Sequence, residues 1–537
     1  MRGIRWSFIV LLILVNGACR PIAPPVPSPA LPTPVPTETI RPAPTPTFTL
    51  PPYTTPAWFR SAVLYEIFLR SFYDSDGDGV GDLRGIIARL DYLQSLGVTA
   101  IWLTPIHPSP SDHGYDVMDY FHVRPEYGTV EDVRALAEAA HARGMRVLLD
   151  FVSSHLSNQH PYFRDAFGNP ASRYSDWFIW QNEAHTRYLS FDGVLAMPRF
   201  NHYNPEVVAY LTQVARFWLS QGIDGFRVDN ATFPPKAFFV ALRREVKAVN
   251  PDALLLGEFW VRSVSRLAPA FPDQFDALFD FPLYHIMLGD PNRNGDGVLS
   301  GQSDPVLLST LFREEAQLFP PQSLAVRFLS NHDTNRLATE LNRDPARLRL
   351  AAAFLTALPG PIMIYYGEEI GMLGQKGGPP AWDNYRREPM DWYASGEGPG
   401  QTTWFRPPDR WNRPGDGISV EEEEQDPSSL LNTYRRLLRL RAETPALREG
   451  DFTVLELTAS APGAWGFVRR AAGQTVVALF NFSDQPLSVT LSAFPFTASA
   501  PQDLLNGRAF PPTQAGQPYA ISMPGASAVW LVSPPGE

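Results

Sequence analysis

Two acidic residues, Asp229 and Glu258, close successive apolar runs, Gly225-Phe-Arg-Val-Asp229 and Ala253-Leu-Leu-Leu-Gly-Glu258. Arg227 lies two residues before Asp229, so in an extended strand both side chains point to one side. A guanidinium at that range favours an ionised carboxylate. The leucines before Glu258 predict an apolar setting, which suits a proton donor. One ionised and one protonated carboxyl is the division of labour that breaks a glycosidic bond: the first attacks the anomeric carbon, the second protonates the leaving oxygen. Asp150 and Asp333 stand at, or just past, the ends of two other apolar runs. A single acidic strand end is ordinarily just solvated; several, with an arginine among them, read as a site. A separate stretch, Asp74-Ser-Asp-Gly-Asp-Gly-Val-Gly-Asp82, sets oxygen donors at every second position with glycines between, as a chain does when it wraps a hard cation.

These residues need a scaffold that brings strand ends together. From residue 60 onward, short β-rich runs alternate with helical patterns. The runs begin at Val63, Ala100, Arg146, Gly225, Ala253, Ala277, Leu324 and Pro361, and helices are expected at 130–143, 205–221 and 345–357. Continuous apolar strands separated by helices predict a parallel sheet covered on both faces. Eight such units make an α/β fold, a (β/α)₈ TIM barrel over residues 58–445, whose C-terminal strand ends carry the active site. The helix after the third run is late, so residues 155–204, rich in Asn, His, Phe and Trp, read as a small inserted subdomain. From about 446 to 537 the rhythm becomes short alternating strands, including 452–457, 476–480, 487–491 and 528–532, which predicts an antiparallel β-sandwich.

The first 18 residues read as an export signal, with Arg2 and Arg5, an apolar run from Phe8 to Val15, and Gly17-Ala18 before a cut. That run is too short to span a bilayer. Cys19, the chain's one cysteine, follows in a pattern resembling a bacterial lipoprotein site, so a lipid anchor is expected there. A single cysteine excludes a disulfide within the chain. Residues 19–57 hold 14 of the 54 prolines and predict an extended stalk of roughly 100 Å. The net charge of −11 offers no basic stripe for phosphates, so a nucleic-acid partner is not expected.

Taken together, the motifs resemble the α-amylase family of glycoside hydrolases (family 13) from residue 58 to 537. Asp150-Phe-Val-Ser-Ser-His155, Gly222-Ile-Asp-Gly-Phe-Arg-Val-Asp229, Leu256-Gly-Glu-Phe-Trp260 and Phe328-Leu-Ser-Asn-His-Asp333 follow its four motifs in order, and Met197-Pro-Arg-Phe-Asn201 is similar to that of its inserted subdomain. The resemblance implies Asp229 as nucleophile, Glu258 as acid/base and Asp333 as the group that stabilises the charged sugar ring. It implies that Arg227 supports the nucleophile, that His155 and His332 bind hydroxyls of that sugar, and that Asp112 and Tyr115 bind and stack on it. The acidic stretch resembles the calcium loop of oligo-1,6-glucosidase-like members, which implies Ca²⁺ held by Asp74, Asp76, Asp78, the Val80 carbonyl and Asp82.

Four positions depart from common family patterns. Ser154 stands where many members have Asn, Thr232-Phe233 replace the Lys-His of many starch-degrading amylases, and Asn230 is not the Val of α-1,6-specific enzymes. The chain sits between subgroups. Trp260, just after Glu258, is placed to stack on the leaving sugar, and the short insertion predicts an open cleft. The expected enzyme is an extracytoplasmic, cell-surface, monomeric α-amylase that cuts internal α-1,4 bonds of starch and maltodextrins. The competing expectations are an α-glucosidase or neopullulanase-type hydrolase, a trehalose- or sucrose-active transglycosylase, and a non-catalytic sugar-binding homologue.

Overall fold

The structure, a computed structural model, describes residues 54–290 and 296–533. The signal stretch, Cys19 and nearly all of the proline-rich stalk lie outside the described residues.

The apolar runs become β1 (Val63–Ile67), β2 (Ala100–Leu103), β3 (Arg146–Phe151), β4 (Gly225–Val228), β5 (Leu254–Gly257), β6 (Ala277–Phe279), β7 (Leu324–Val326) and β8 (Ile362–Tyr365). They form one eight-stranded parallel sheet in the order β8-β1-β2-β3-β4-β5-β6-β7. The ends meet through a parallel bridge between Arg327 and Ile362: the Arg327 N–H donates to the Pro361 carbonyl at 3.0 Å and the Met363 N–H to the Arg327 carbonyl at 2.8 Å. A TIM barrel results. Its strands are buried along nearly their whole length, as expected where helices cover the outside and side chains fill the inside.

The covering helices start where the sequence supplies caps. Thr129 and Asp132 form a capping box at Val130–His141, Asn204 caps Pro205–Leu219, and Asp344 caps Pro345–Ala357. Along Pro205–Leu219, Val207, Leu211, Val214, Ala215 and Trp218 recur at helical spacing and are buried. The strands are shorter than the apolar runs, ending before the acidic residue in β4 and β5, so Asp229 and Glu258 are the first residues of their loops.

The insertion between β3 and the helix at Pro205 holds a short helix (Pro161–Ala166) and a hairpin of Ser190–Phe191 with Val194–Pro198. Aromatic packing builds it, with Tyr162 stacked on Tyr174 at 4.1 Å and Phe163 edge-on to Phe178 at 4.9 Å.

The C-terminal part is two antiparallel sheets, of five strands and of three. Val477, Leu479 and Leu531 of one pack with Val489, Leu491 and Ile521 of the other to form the sandwich core. The stretch 452–457, expected as one strand, is instead two: Asp451–Val454 pairs in the larger sheet and Leu457–Ala459 in the smaller, because the chain crosses between sheets at Leu455-Glu456. The larger sheet's other face meets barrel helices, where Trp465 stacks on Phe312 at 5.7 Å and Phe480 sits edge-on to Phe354 at 5.4 Å. Arg441 and Arg469 are buried there and donate to carbonyls at the end of helix Pro345–Ala357: Thr356 at 2.8 Å, Leu358 at 2.7 Å and Ala357 at 3.1 Å. Cations at a helix C-terminus suit its dipole.

Candidate active site

Arg227, fully buried on β4, is the hub. Its guanidinium lies 4.9 Å above the ring of Trp102, a buried β2 residue that floors the barrel mouth. Nη1 donates to Asp150 at 2.9 and 3.0 Å and to Asp229 Oδ1 at 3.0 Å, while Nη2 pairs with Glu258 Oε1. The Asn230 N–H donates to Glu258 Oε2 at 3.0 Å. Register brings these groups together. Asp150 pairs with Arg227 across β3 and β4, and Arg227 with Leu256 across β4 and β5. β4 must also lie tight against β5: Gly225 has φ +145°, and a Cβ there would stand 2.2 Å from the Leu254 carbonyl oxygen. Glu258 does not sit in the apolar setting expected for it. The leucines of β5 turn into the core, whereas the carboxyl, one residue past the strand, meets Arg227 and a backbone amide.

Asp229 Oδ2 is buried and receives no hydrogen bond, so its lone pairs are uncommitted. Burial pushes the Asp229 carboxyl well above the usual range; Arg227 opposes this, while Glu258, Asp150 and Asp333 add to it. Burial likewise raises Asp150 to about 6, against the pull of Arg227 and His332. Buried carboxyls outnumber the cations facing them, and a low-dielectric cluster resists the excess negative charge by holding protons.

The third carboxyl belongs to another set. His332 Nδ1 contacts Glu66 Oε1 at 2.5 Å, its Nε2 contacts the Tyr115 hydroxyl at 2.6 Å, and the same nitrogen lies 3.1 Å from Asp333 Oδ2. Arg387 Nη2 donates to Asp333 Oδ1 at 2.7 Å. Burial disfavours the His332 cation, but Asp333 and Glu66 outweigh it and raise the ring to about 10. Burial also opposes the Asp333 charge, but His332 and Arg387 hold its carboxyl far below the usual range. Asp333 is therefore a fixed anion, unlike Asp229. Tyr115 joins the two sets: its hydroxyl donates to Asp150 at 3.0 Å and its ring stacks on His332 at 5.4 Å.

His155 is buried just past β3, with Nδ1 on the Ser154 hydroxyl at 2.7 Å and Nε2 buried without a partner. Burial lowers its pKa to about 3, so the ring is neutral. Trp260 is 41% exposed and stacks on Phe281 at 4.6 Å. Asp112 is half exposed and paired with Arg70 at 3.4 Å. In the acidic loop, Asp74, Asp76 and Asp78 bring carboxylate oxygens within 4.8 Å of one another. Gly77 and Gly79, at φ +87° and +92°, let the chain wrap them. Asp82 oxygens accept from the Gly85 N–H at 2.8 Å, capping helix Leu83–Ala88, and from the Ser75 N–H at 2.6 Å and Oγ at 2.8 Å, just as Asp74 accepts from the Gly77 and Gly79 N–H at 2.6 and 2.8 Å. The donor set fits a hard cation through the three clustered aspartates, with Val80 on the same turn.

Sequence reasoning missed Glu66 and Arg387. Glu66 sits within β1, a run expected to be apolar; a charged residue inside such a run was the available signal. Arg387 comes from the long loop after β8, where no periodicity marks it.

Comparison with known proteins agrees with this geometry. Residues 66–450 match the family model described as alpha amylase, catalytic domain, and residues 455–530 match maltogenic amylase, C-terminal domain. The chain is 36% identical over 415 residues to alpha-amylase 3 of Dictyoglomus thermophilum, covering 73% of this chain and 79% of that one. It is 33% identical over 556 residues to trehalose synthase/amylase TreS of Mycobacterium tuberculosis, covering 89% and 90%. The crystal structure of alpha-amylase from H. orenii superposes with a TM-score of 0.75 at 34% identity, covering 88% of this chain and all of that one. With its barrel, its cluster of carboxyls about one arginine and these matches, the chain belongs to the α-amylase family of glycoside hydrolases, enzymes that act on O-glycosyl bonds.

Proposed function

We propose that this enzyme hydrolyses internal α-1,4 bonds of starch and maltodextrins by a retaining double displacement. One observation carries the mechanism: Asp229 and Glu258 occupy the two Nη atoms of a single guanidinium. That fork favours the separation of about 5–5.5 Å found in retaining enzymes over the about 6.5–9.5 Å of inverting ones. Asp229 attacks the anomeric carbon through its uncommitted Oδ2; Glu258 protonates the leaving oxygen, then deprotonates the incoming water. Asp333, a fixed anion, steadies the positive charge on the ring. The half-exposed Trp260 beside Glu258 supports an extended substrate, since its indole can carry the sugar beyond the cleaved bond. The early products from maltoheptaose and pullulan test this reading. Several mid-length products should appear at once from maltoheptaose, with pullulan cut slowly; glucose released alone would make it an α-glucosidase.

A second reading, glucosyl transfer to a sugar acceptor, is supported by similarity to a trehalose synthase/amylase over 89% of the chain. Added maltose or glucose would then divert products from hydrolysis to transfer.

The clustered aspartates support one bound Ca²⁺, which would stabilise the folded chain because the unfolded chain cannot form the turn. Chelator should lower the melting temperature and calcium restore it, and Asp76→Ala should abolish that response. The pattern ending at Cys19 supports lipidation and a place outside the cytoplasm. Cys19→Ser should move the protein from the membrane fraction to the soluble one, or leave it unprocessed.

A further inference from the structure

We propose that Trp382 is a sugar-stacking residue that holds a glucosyl unit beyond the one at Asp333, and so sets the chain length the enzyme prefers. This rests on the glucan reading above. The loop after β8 is fastened to the Asp333 segment at two points. The Lys376 N–H donates to Asn335 Oδ1 at 3.1 Å, and Arg386 reaches the same oxygen through Nε and Nη2 at 3.2 and 3.1 Å. Arg386 Nη1 also donates to the Asp333 carbonyl at 2.7 Å and to Asp383 at 2.8 Å. Trp382 is the residue before Asp383, so its position is fixed relative to the catalytic carboxylates.

Two observations single it out. Trp382 is 50% exposed, whereas Trp102, Trp218 and Trp392 are buried. Its backbone is left-handed, with φ +39°, a conformation that a bulky residue with a Cβ disfavours. Two hydrogen bonds hold it there: Trp382 N–H to the Gly378 carbonyl at 3.0 Å, and Gly377 N–H to the Trp382 carbonyl at 2.8 Å. Strain kept while a large apolar ring is left in solvent contributes nothing to packing; it suits a ring presented to a ligand. Residues 375–381 line a groove of about 370 Å³ with Tyr385, Asp409 and Trp411, so Trp382 follows that groove in the chain rather than forming its wall. Trp382 follows β8 and Trp260 follows β5, so the two exposed indoles belong to loops after different strands of the barrel.

The test is calorimetric binding in a Glu258→Gln background, where the ligand is consumed far more slowly. The probes are maltoheptaose and 1-deoxynojirimycin, a single-ring ligand confined to the Asp333 subsite. Trp382→Ala should weaken maltoheptaose binding about tenfold, equivalent to about 1.4 kcal/mol. Binding of 1-deoxynojirimycin should stay unchanged, and Trp382→Phe should recover most of the maltoheptaose affinity. Equal losses for both ligands would mean a structural role through Arg386 and would overturn the assignment. So would undiminished maltoheptaose binding. If the parent Glu258→Gln protein binds 1-deoxynojirimycin but not maltoheptaose, the glucan reading itself fails, and this assignment with it.

Discussion

Glu258→Gln is expected to slow hydrolysis of maltooligosaccharides by about 10²–10⁴-fold, the usual contribution of a positioned general acid. The variant should nonetheless accumulate a glycosyl-enzyme from α-glucosyl fluoride, whose leaving group needs no proton. Asp229→Ala should form none from either substrate, because Oδ2 of Asp229 is the oxygen left free to bond the anomeric carbon. Mass spectrometry of the quenched protein separates the two outcomes. The pH profile carries a sign as well. Burial, with neighbouring carboxyls beyond what Arg227 offsets, raises Asp229, and attack requires its ionised form. As pH falls through that raised pKa the nucleophile is lost, so the acid limb of kcat/KM should lie above the ordinary carboxylate range. First-formed products of inverted anomeric configuration would sink the assignment of both residues.

Replacement of Arg227 should cost stability and activity together. Its guanidinium satisfies Asp150, Asp229 and Glu258 with no exposure to water. Arg227→Met strands three carboxyls in the barrel mouth, and removing one partner of a buried ion pair typically costs about 3–5 kcal/mol. Thermal unfolding should show a fall of that order, partly relieved at low pH, where the carboxyls take up protons. Arg227→Lys is the sharper test. An ammonium keeps the charge but is a point donor on a flexible stem, unable to hold two carboxyls on separate nitrogens of a rigid fork. It should recover much of the stability while turnover stays down by about 10²–10³-fold, the scale of a lost preorganised donor. Full activity in Arg227→Lys would show that charge alone, not the fork, sets the spacing of Asp229 and Glu258.

The barrel was legible because its determinants are local and repeated. Each strand is an apolar run between helices, and caps such as Thr129, Asn204 and Asp344 announce the helices from their own side chains. The sandwich was legible in kind but not in detail. Period-two alternation marks a strand, yet it is identical in two facing sheets, so nothing in residues 452–457 tells where the chain crosses between them.

The sequence by itself determined that Asp229, Glu258 and Asp333 stand at strand ends on one rim, since chain order and strand polarity place them there. It also determined that Arg227 faces the same way as Asp229, through the two-residue repeat of a strand. Only the tertiary structure decided which charges compensate which. Glu66 pairs with His332 across 266 residues and Arg387 with Asp333 across 54, contacts set by barrel closure and by the path of a long loop. Because protonation depends on burial and on every neighbouring charge at once, a fixed anion at Asp333 beside a raised carboxyl at Asp229 could not be read from either motif. The same holds for Glu258: its leucine neighbours are next to it in the chain, but its carboxyl sits on an arginine because the strand ends one residue too soon.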